Sequence, residues 1–279
     1  MLGRPPPPVL EIFGLMQEGL RHLDGGQGSA WRVGDVILKP VESPVEATWC
    51  AELLATVIPV GFRVGRPVRA LDGSYVAEGW TAWRAVAGNH DTEGRWPEVM
   101  AKGRALHAAL VGVKRPDFLD ARQGVWSIGD RVAWQERPMQ VVDPVFRRIA
   151  RDLSHFLMPC SEPSQLIHGD LSANVLFSNG SDPAVIDFTP YWRPPSFGLA
   201  VVAVDAVCWY GGETSLFDLV TGTDHPLSML ARAGLYRLVT SDEATRAMVE
   251  PDRGSYLSEN RAAYEDLLTR LTNWCSHRM

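Results

Sequence analysis

The chain has 279 residues, enough for one large domain or two modest ones with a sizeable core. Its 46% apolar and 22% charged residues are ordinary for a soluble globular protein, and a net charge of −6 with no run of Lys and Arg argues against a nucleic-acid or membrane surface. The cysteines, Cys50, Cys160, Cys208 and Cys275, lie far apart without CxxC spacing, so they suggest neither a zinc site nor a disulfide framework but buried thiols in a reducing cytosol.

In chain order, the start "MLGRPPPPVLEIFG" puts prolines where a signal peptide needs an apolar run, and "LAVVAV" is too short to cross a bilayer. A cytoplasmic location is expected. The prolines at 5–8 read as a short extended leader, after which Leu10, Phe13, Met16 and Leu20 have the spacing of a helix face. Residues 21–41, "RHLDGGQGSAWRVGDVILKPV", read as strand, glycine-rich turn, strand, a tight turn at Gly34-Asp35 and a strand over 36–39. Residues 43–57 are a predicted helix, with Ser43 as N-cap, Pro44 at its first position and Glu46 three after the cap. Residues 66–86 read as two strands joined by an Asp72-Gly73 turn.

From about residue 88 the pattern becomes helical. Amphipathic helices are predicted over 97–110 and 143–157; in the second, Asp143 caps, Pro144 opens, and Val145, Ile149, Leu153 and Phe156 form the stripe. Residues 197–275 are mostly helical, with breaks near Gly211-Gly212, Gly222 to His225 and Pro251 to Gly254. The expected fold class is α+β, with a small β-rich N-lobe over 1–87 and a larger helical C-lobe over 88–279.

The chemistry concentrates in "LIHGDLSANVLFSNGSDPAVIDF" (166–188). "VLF" and "AVI" are strand-like runs joined by the turn-rich "SNGSDP", so they should form a hairpin. That hairpin puts Asn174, at the start of one strand, near Asp187, at the end of the other. Two oxygen ligands at one end suit a hard cation such as Mg²⁺. Asp170, in the entering loop, would accept a proton from a hydroxyl beside metal-bound phosphates. A base, two metal ligands and a cleft between lobes read as phosphoryl transfer.

With "HGD", "NVLF" and "VIDF" in this order, the chain resembles the aminoglycoside phosphotransferase family, small-molecule kinases with a two-lobed protein-kinase-like fold. "HGDLSANVLF…VIDFTPYWRP" is more narrowly similar to an actinobacterial branch of that superfamily. The resemblance covers roughly residues 20–210 by element order. It implies that "DGGQGSAW", with Gly25, Gly26, Gly28 and Ser29, covers the phosphates of ATP. It also implies that Lys39 holds those phosphates and that Arg84 and Val86, in "WTAWRAVAG", contribute backbone groups to adenine. Asp170 is then the base or hydroxyl-orienting group, and Asn174 and Asp187 hold Mg²⁺. His168 is expected to orient the loop without chemistry of its own.

Three departures stand out. The family has four residues between the catalytic Asp and the metal Asn, and this chain has three: Leu171, Ser172 and Ala173. Where the family commonly has an Asp in a "DLA" context, this chain has Gly198-Leu199-Ala200, which leaves Asp205 as a candidate to brace the loop. The glycine loop also lacks the strict protein-kinase pattern. Lys39 follows "VIL", and an unpaired ammonium at the end of a buried strand is costly. Glu46 is the preferred partner, Glu52 the reserve; Glu46 completing a capping box with Ser43 is the competing reading. "GNHD" (88–91) matches a metallophosphoesterase tetrapeptide without that family's upstream segments and reads as coincidence in a loop.

The expected function is ATP-dependent phosphorylation of a hydroxyl on a small molecule such as an aminoglycoside, sugar or amino alcohol, with no nucleic-acid or membrane partner. A protein or lipid acceptor is the runner-up within the same fold. A catalytically degenerate kinase-like protein that binds nucleotide or acts as a scaffold is the alternative. The acceptor pocket is expected from residues 123–136, residues 189–197 and the C-terminal helices, with Trp126, Trp134, Tyr191 and Trp192 as walls or core.

Overall fold

The structure is a computed structural model that describes residues 3–23 and 29–277. The expected leader is helical rather than extended: Pro7 and Pro8 open α1 (Pro7–Ile12), where proline's fixed φ suits the first turn and its missing N–H is no loss. Gly14, at φ 65°, ends this helical segment, so Met16 is exposed instead of extending the apolar face. Val9, Leu10 and Phe13 pack on Val33, Val36, Leu38, Ala70, Trp80 and Ala82, the separate apolar core of the N-lobe.

The N-lobe continues with β1 (Arg21–His22), β2 (Trp31–Val33), β3 (Val36–Pro40), α2 (Pro44–Thr56), β4 (Arg63–Val64), β5 (Pro67–Val68), β6 (Val76–Ala77) and β7 (Trp80–Arg84). The sheet runs β1-β2-β3-β7-β5, with β6 also on β7. Gly34 makes the predicted turn between β2 and β3. Strand alternation sends Val36 and Leu38 into the N-lobe core and Ile37 and Lys39 to the opposite face, into the cleft. The Asp72-Gly73 turn forms, but Glu78 and Gly79, both at positive φ, make a second turn that splits the run after it into β6 and β7. β4 leaves this sheet and pairs in parallel with a strand of the C-lobe.

The C-lobe comprises α3 (Trp96–Ala109), α4 (Phe118–Ala121), α5 (Val125–Ala133), α6 (Pro144–Ser154), β8 (Gln165–His168), β9 (Val175–Ser178), β10 (Ser181–Val185), β11 (Pro190–Arg193), α7 (Pro195–Trp209), a 3-10 turn (Thr214–Leu219), α8 (Pro226–Thr245) and α9 (Asp252–Ser276). The predicted hairpin is β9–β10, antiparallel, with Val175 opposite Val185 and Leu176 opposite Ala184. β11, inside the 189–197 stretch expected to help form the acceptor pocket, pairs with β8. α8 lies at the centre, packed by α5, α6, α7 and α9 and buried over most of its length. No helix among the described residues is long and apolar enough to cross a membrane.

"GNHD" clamps the linker to the hairpin. Asn89 and Phe177 exchange backbone hydrogen bonds of 2.9 and 2.8 Å, and Asp91 N–H donates to Asn89 Oδ1. A Cβ on Gly88 would lie 2.9 Å from both Leu176 Cβ and Phe177 O, and its φ is 145°, so only glycine lets the chains approach this closely.

His107, on α3, accepts the His168 N–H at Nε2 (3.2 Å), which places its proton on Nδ1. Burial pushes His107 down to about 3 and lowers His168, so both imidazoles are neutral. In the unfolded chain such a histidine takes up a proton below about 6.5, whereas folded His107 does so only near 3. Folding stability should therefore fall as pH drops through that window, by up to about 1.4 kcal/mol per pH unit for each such histidine. Denaturant midpoints measured between about pH 6 and 4.5 should show a slope that is shallower by one proton in His107→Gln. An unchanged slope would contradict the neutral, buried assignment.

Candidate active site

A cavity of about 340 Å³ lies between the lobes. Its N-lobe wall is Ile37 and Lys39 of β3, Thr81, Trp83 and Arg84 of β7, and Glu46, Ala47, Cys50 and Leu54, which share one face of α2. Val86 closes the linker side, and Leu176, Val185, Ile186 and Asp187 of the hairpin form the floor. Lys39, Glu46, Arg84, Val86 and Asp187 thus line one cavity, largely apolar with charge at one end, as nucleotide and small-molecule pockets are. The Arg84 side chain turns outward to Asp35 (2.6 Å). Ser29 lies in the short segment before β2, outside the cavity lining. Gly25, Gly26 and Gly28 lie outside the described residues.

Lys39 meets a carboxylate, but it belongs to Asp187 and not to Glu46 or Glu52. Glu52 is exposed on α2. Glu46 is taken by Arg122, which follows α4: Nε and Nη2 bind the carboxylate at 3.1 and 2.5 Å, and Nη1 donates to Pro190 O at 2.7 Å. The reason is geometric. Ser43 caps α2 through the Glu46 N–H (3.4 Å), and the Glu46 side chain is then met by the C-lobe guanidinium, whose planar fork fits a carboxylate. Burial in the cleft pulls the Lys39 ammonium down to about 8. An anion at this position has a desolvated cation to bind.

The loop that carries Asp170 is fixed from several sides. His168 Nδ1 accepts the Asp170 N–H (3.1 Å), so Nε2 carries the proton and donates it to Ile186 O (3.1 Å). That histidine orients the loop and spans to the hairpin. Ile186 N–H donates to Asn174 O (2.9 Å), which sets Asn174 beside the end of β10. Asn174 Nδ2 donates to Asp170 O (2.6 Å) and Asp170 Oδ2 (3.3 Å). Asp187 follows at φ 50°, a left-handed conformation that Asp tolerates.

Asn174 and Asp187 therefore share one end of the hairpin, while their side chains bond in different directions, to Asp170 and to Lys39. The donor set still suits a hard cation. Both partners of the Asn174 amide nitrogen are acceptors, so its Oδ1 is left as the ligand atom, and Asp187 pairs with Lys39 through Oδ1 alone. Among the described residues no group of three or more His, Cys, Asp or Glu forms a metal cage. Two oxygens would suit Mg²⁺, which keeps waters and substrate phosphates as its other ligands.

Gly198 stands where the resembled family has its Asp, and packing explains the change. A Cβ there would lie 2.8 Å from His107 Cε1, so α7 crosses α3 and β8 too closely for a side chain. Two turns later on α7, Asp205 does the bracing by accepting from Ser172 Oγ (2.6 Å). Sequence reasoning missed Arg237 of α8. Its Nε and Nη2 bind Asp205 (2.8 and 2.5 Å), and Nη2 also donates to Asp170 Oδ1 (2.7 Å). Burial opposes this charge most strongly, but Asp205, Tyr236 and Asp170 together outweigh it and hold Arg237 protonated. The signal was an arginine inside the otherwise apolar "AGLYRLV", which demands buried acids elsewhere.

Of the four aromatic residues expected around an acceptor, three are packing. Tyr191 is buried, with its hydroxyl 3.0 Å from that of Tyr236. Trp134 is stacked between Arg193 and Arg232, with guanidinium carbons 5.0 and 4.5 Å from its ring. Trp192 packs against the C-lobe core. Trp126 alone of the four is open, 45% exposed, with the Arg237 guanidinium 5.3 Å from its ring.

No family model and no curated protein matches the sequence. Solved structures do. One is a thermostable mutant of aminoglycoside phosphotransferase APH(4)-Ia in a ternary complex with AMP-PNP and hygromycin B, at 18% identity and TM-score 0.60, covering 94% of this chain and 97% of that chain. A second is spectinomycin phosphotransferase APH(9)-Ia with ADP and spectinomycin, at 13% identity and TM-score 0.61 over 94% of this chain and 96% of that one. A third is an aminoglycoside phosphotransferase from Alicyclobacillus acidocaldarius, at 15% identity and TM-score 0.58 over 99% and 98%. At these identities the likeness is one of architecture: the chain has the two-lobed α+β fold of the aminoglycoside phosphotransferases.

Proposed function

We propose that the protein is a phosphotransferase that moves the γ-phosphate of ATP to a hydroxyl of a small molecule. The observation that carries this reading is the meeting of Lys39 and Asp187 at the polar end of the interlobe cavity, with Asn174 and Asp170 on the loop that enters the same hairpin. The fold shared with phosphotransferases that bind AMP-PNP with hygromycin B, or ADP with spectinomycin, supports it.

Each residue then has a physical task. The apolar walls from Ile37, Leu54, Val86, Leu176 and Val185 take the base, and the Arg84 to Val86 backbone lies at its edge. The Lys39 ammonium exchanges Asp187 for phosphate oxygens, which is favourable because the cleft has already removed its water. Asn174 Oδ1 and Asp187 would hold Mg²⁺, and that ion would neutralise charge on the transferred group. Asp170 orients the acceptor hydroxyl and takes its proton. Catalysis is then mostly positioning and charge compensation. Trp126 and the open side of Asp170 face the acceptor, and an acceptor with an apolar ring face beside its hydroxyl suits that surface.

Thermal melting should test nucleotide binding first. ATP should raise the melting temperature, more so with Mg²⁺, and turnover should follow on a panel of sugars, amino alcohols and aminocyclitols. Stabilisation without turnover on any acceptor, water included, would favour a nucleotide-binding protein that has lost catalysis. Asp170→Ala should lower kcat by about 10²- to 10⁴-fold while the ADP-induced shift persists. Activity that survives nearly whole would remove Asp170 from its role.

The binding constants of two variants separate the lysine assignment from the older expectation for Glu46. Lys39→Ala should weaken ATP binding by about tenfold or more, roughly 1.4 kcal/mol. Glu46→Gln should change it little, because Glu46 bonds Arg122 instead. The reverse order of effects would contradict both placements.

A further inference from the structure

Two arginines lie five residues apart within α8, and they do different things. Arg232 is used by backbone: Nη1 donates to Ala133 O (2.7 Å) and Nη2 to Met158 O (2.9 Å), tying α8 to the end of α5. Arg237 instead joins two carboxylates from separate elements. Asp205, on α7, accepts from two of its nitrogens and so fixes the plane of the guanidinium. With that plane fixed, Nη2 has one direction left, and it points at Asp170 Oδ1, 2.7 Å away.

The same network returns to the loop it started from. Ser172, two residues after Asp170, donates to the Asp205 oxygen that Arg237 Nη2 also holds. Leu171, between them, is buried against α3, where a Cβ on Gly103 would come 2.6 Å from Leu171 Cδ1. Asp170, Leu171 and Ser172 are thus each anchored, and only Ala173 of this short loop is exposed. The rings of Trp126 and Tyr236 lie 5.3 and 5.0 Å from the guanidinium carbon and shield it.

An isolated carboxylate offers two equivalent oxygens and turns freely. Here Oδ1 is committed to a part-buried, charge-assisted bond from a buried guanidinium, whereas Oδ2 receives only the long 3.3 Å contact from Asn174. We propose that Arg237 is the positioning residue of the catalytic loop, holding Oδ1 of Asp170 so that Oδ2 is the oxygen presented to the acceptor hydroxyl. This rests on the reading of Asp170 given above. It also accounts for how a loop of three residues between Asp170 and Asn174 keeps a defined geometry: the orientation comes from α8, not from the loop's own residues.

ATP hydrolysis with water as the acceptor provides the assay, read as kcat and KM for ATP beside the melting shift caused by ADP. Arg237→Lys keeps a cation for Asp205 but replaces the planar fork with a single point, which cannot hold both carboxylates in one plane. The double variant Arg237→Gln/Asp205→Asn removes both charges together and leaves no unpaired buried carboxylate at Asp205. Both should keep the ADP shift and a KM for ATP within about twofold, and both should lose kcat by about 10²-fold, the scale of a small misplacement of a reacting group. Ser172→Ala, which leaves no charge unpaired, should lose a smaller factor.

A purely structural arginine would instead lower the melting temperature and leave kcat of the folded fraction intact. Unchanged kcat in either folded Arg237 variant, with a parent that hydrolyses ATP, overturns this assignment and leaves the proposed function standing. Should neither Arg237 variant fold, full kcat in Ser172→Ala overturns it. A parent that binds ADP but turns over ATP with no acceptor, water included, overturns both.

Discussion

An ammonium on the N-lobe wall of the cleft meets a carboxylate on its floor, and the rest of the site is arranged around that contact. Lys39 reaches it because alternation along β3 turns Leu38 into the N-lobe core and Lys39 out of it. Asp187 reaches it because the β9–β10 register ends two residues earlier, at Val185, and the chain then turns through a left-handed conformation at Asp187. The two side chains are 29% and 44% exposed, so the contact adds little net stability and chiefly sets the cleft wall against its floor. The pair links β3 of the N-lobe to the end of the hairpin, and in the proposed function it gives way to a phosphate and a metal.

Around that pair, buried charges are handled by dedicated partners. Arg122 carries the Glu46 carboxylate, Arg237 carries Asp205 and part of Asp170, and Arg193 carries Asp130 and Glu136. Each contact crosses between elements distant in the chain, so each fixes the orientation of one element against another more than it adds net stability. The apolar packing does the stabilising. α8 is buried on nearly every side, and its position is what allows an arginine from the C-terminal third of the chain to reach the Asp170 loop.

Local patterns were legible because local physics decides them. Ser43 and Pro44 announce α2, Asp143 and Pro144 announce α6, and the turn residues between two apolar runs announce the hairpin with Asn174 and Asp187 at one end. The prolines misled. They suggested an extended leader where α1 begins, and β11, which starts at Pro190 and stops before Pro194, went unread as a strand. The partners of charged groups were least legible, since neither Arg122 for Glu46 nor Arg237 for Asp170 leaves a mark at short range in the chain. The apolar face of α2 pointed to Glu46 as the partner of Lys39, with Glu52 off that face, but in the structure Lys39 meets Asp187 of the hairpin.

The account stands on one exchange: a nucleotide and a divalent ion displace the contact between Lys39 and Asp187. A crystal structure of the protein grown with AMP-PNP and Mn²⁺ as a visible substitute for Mg²⁺ tests it most directly. The account predicts metal density bonded to Asn174 Oδ1 and Asp187 at about 2.0–2.3 Å, with the Lys39 ammonium moved onto the phosphates. Nucleotide in the cleft with Lys39 still on Asp187 and no ion beside Asn174 would contradict it.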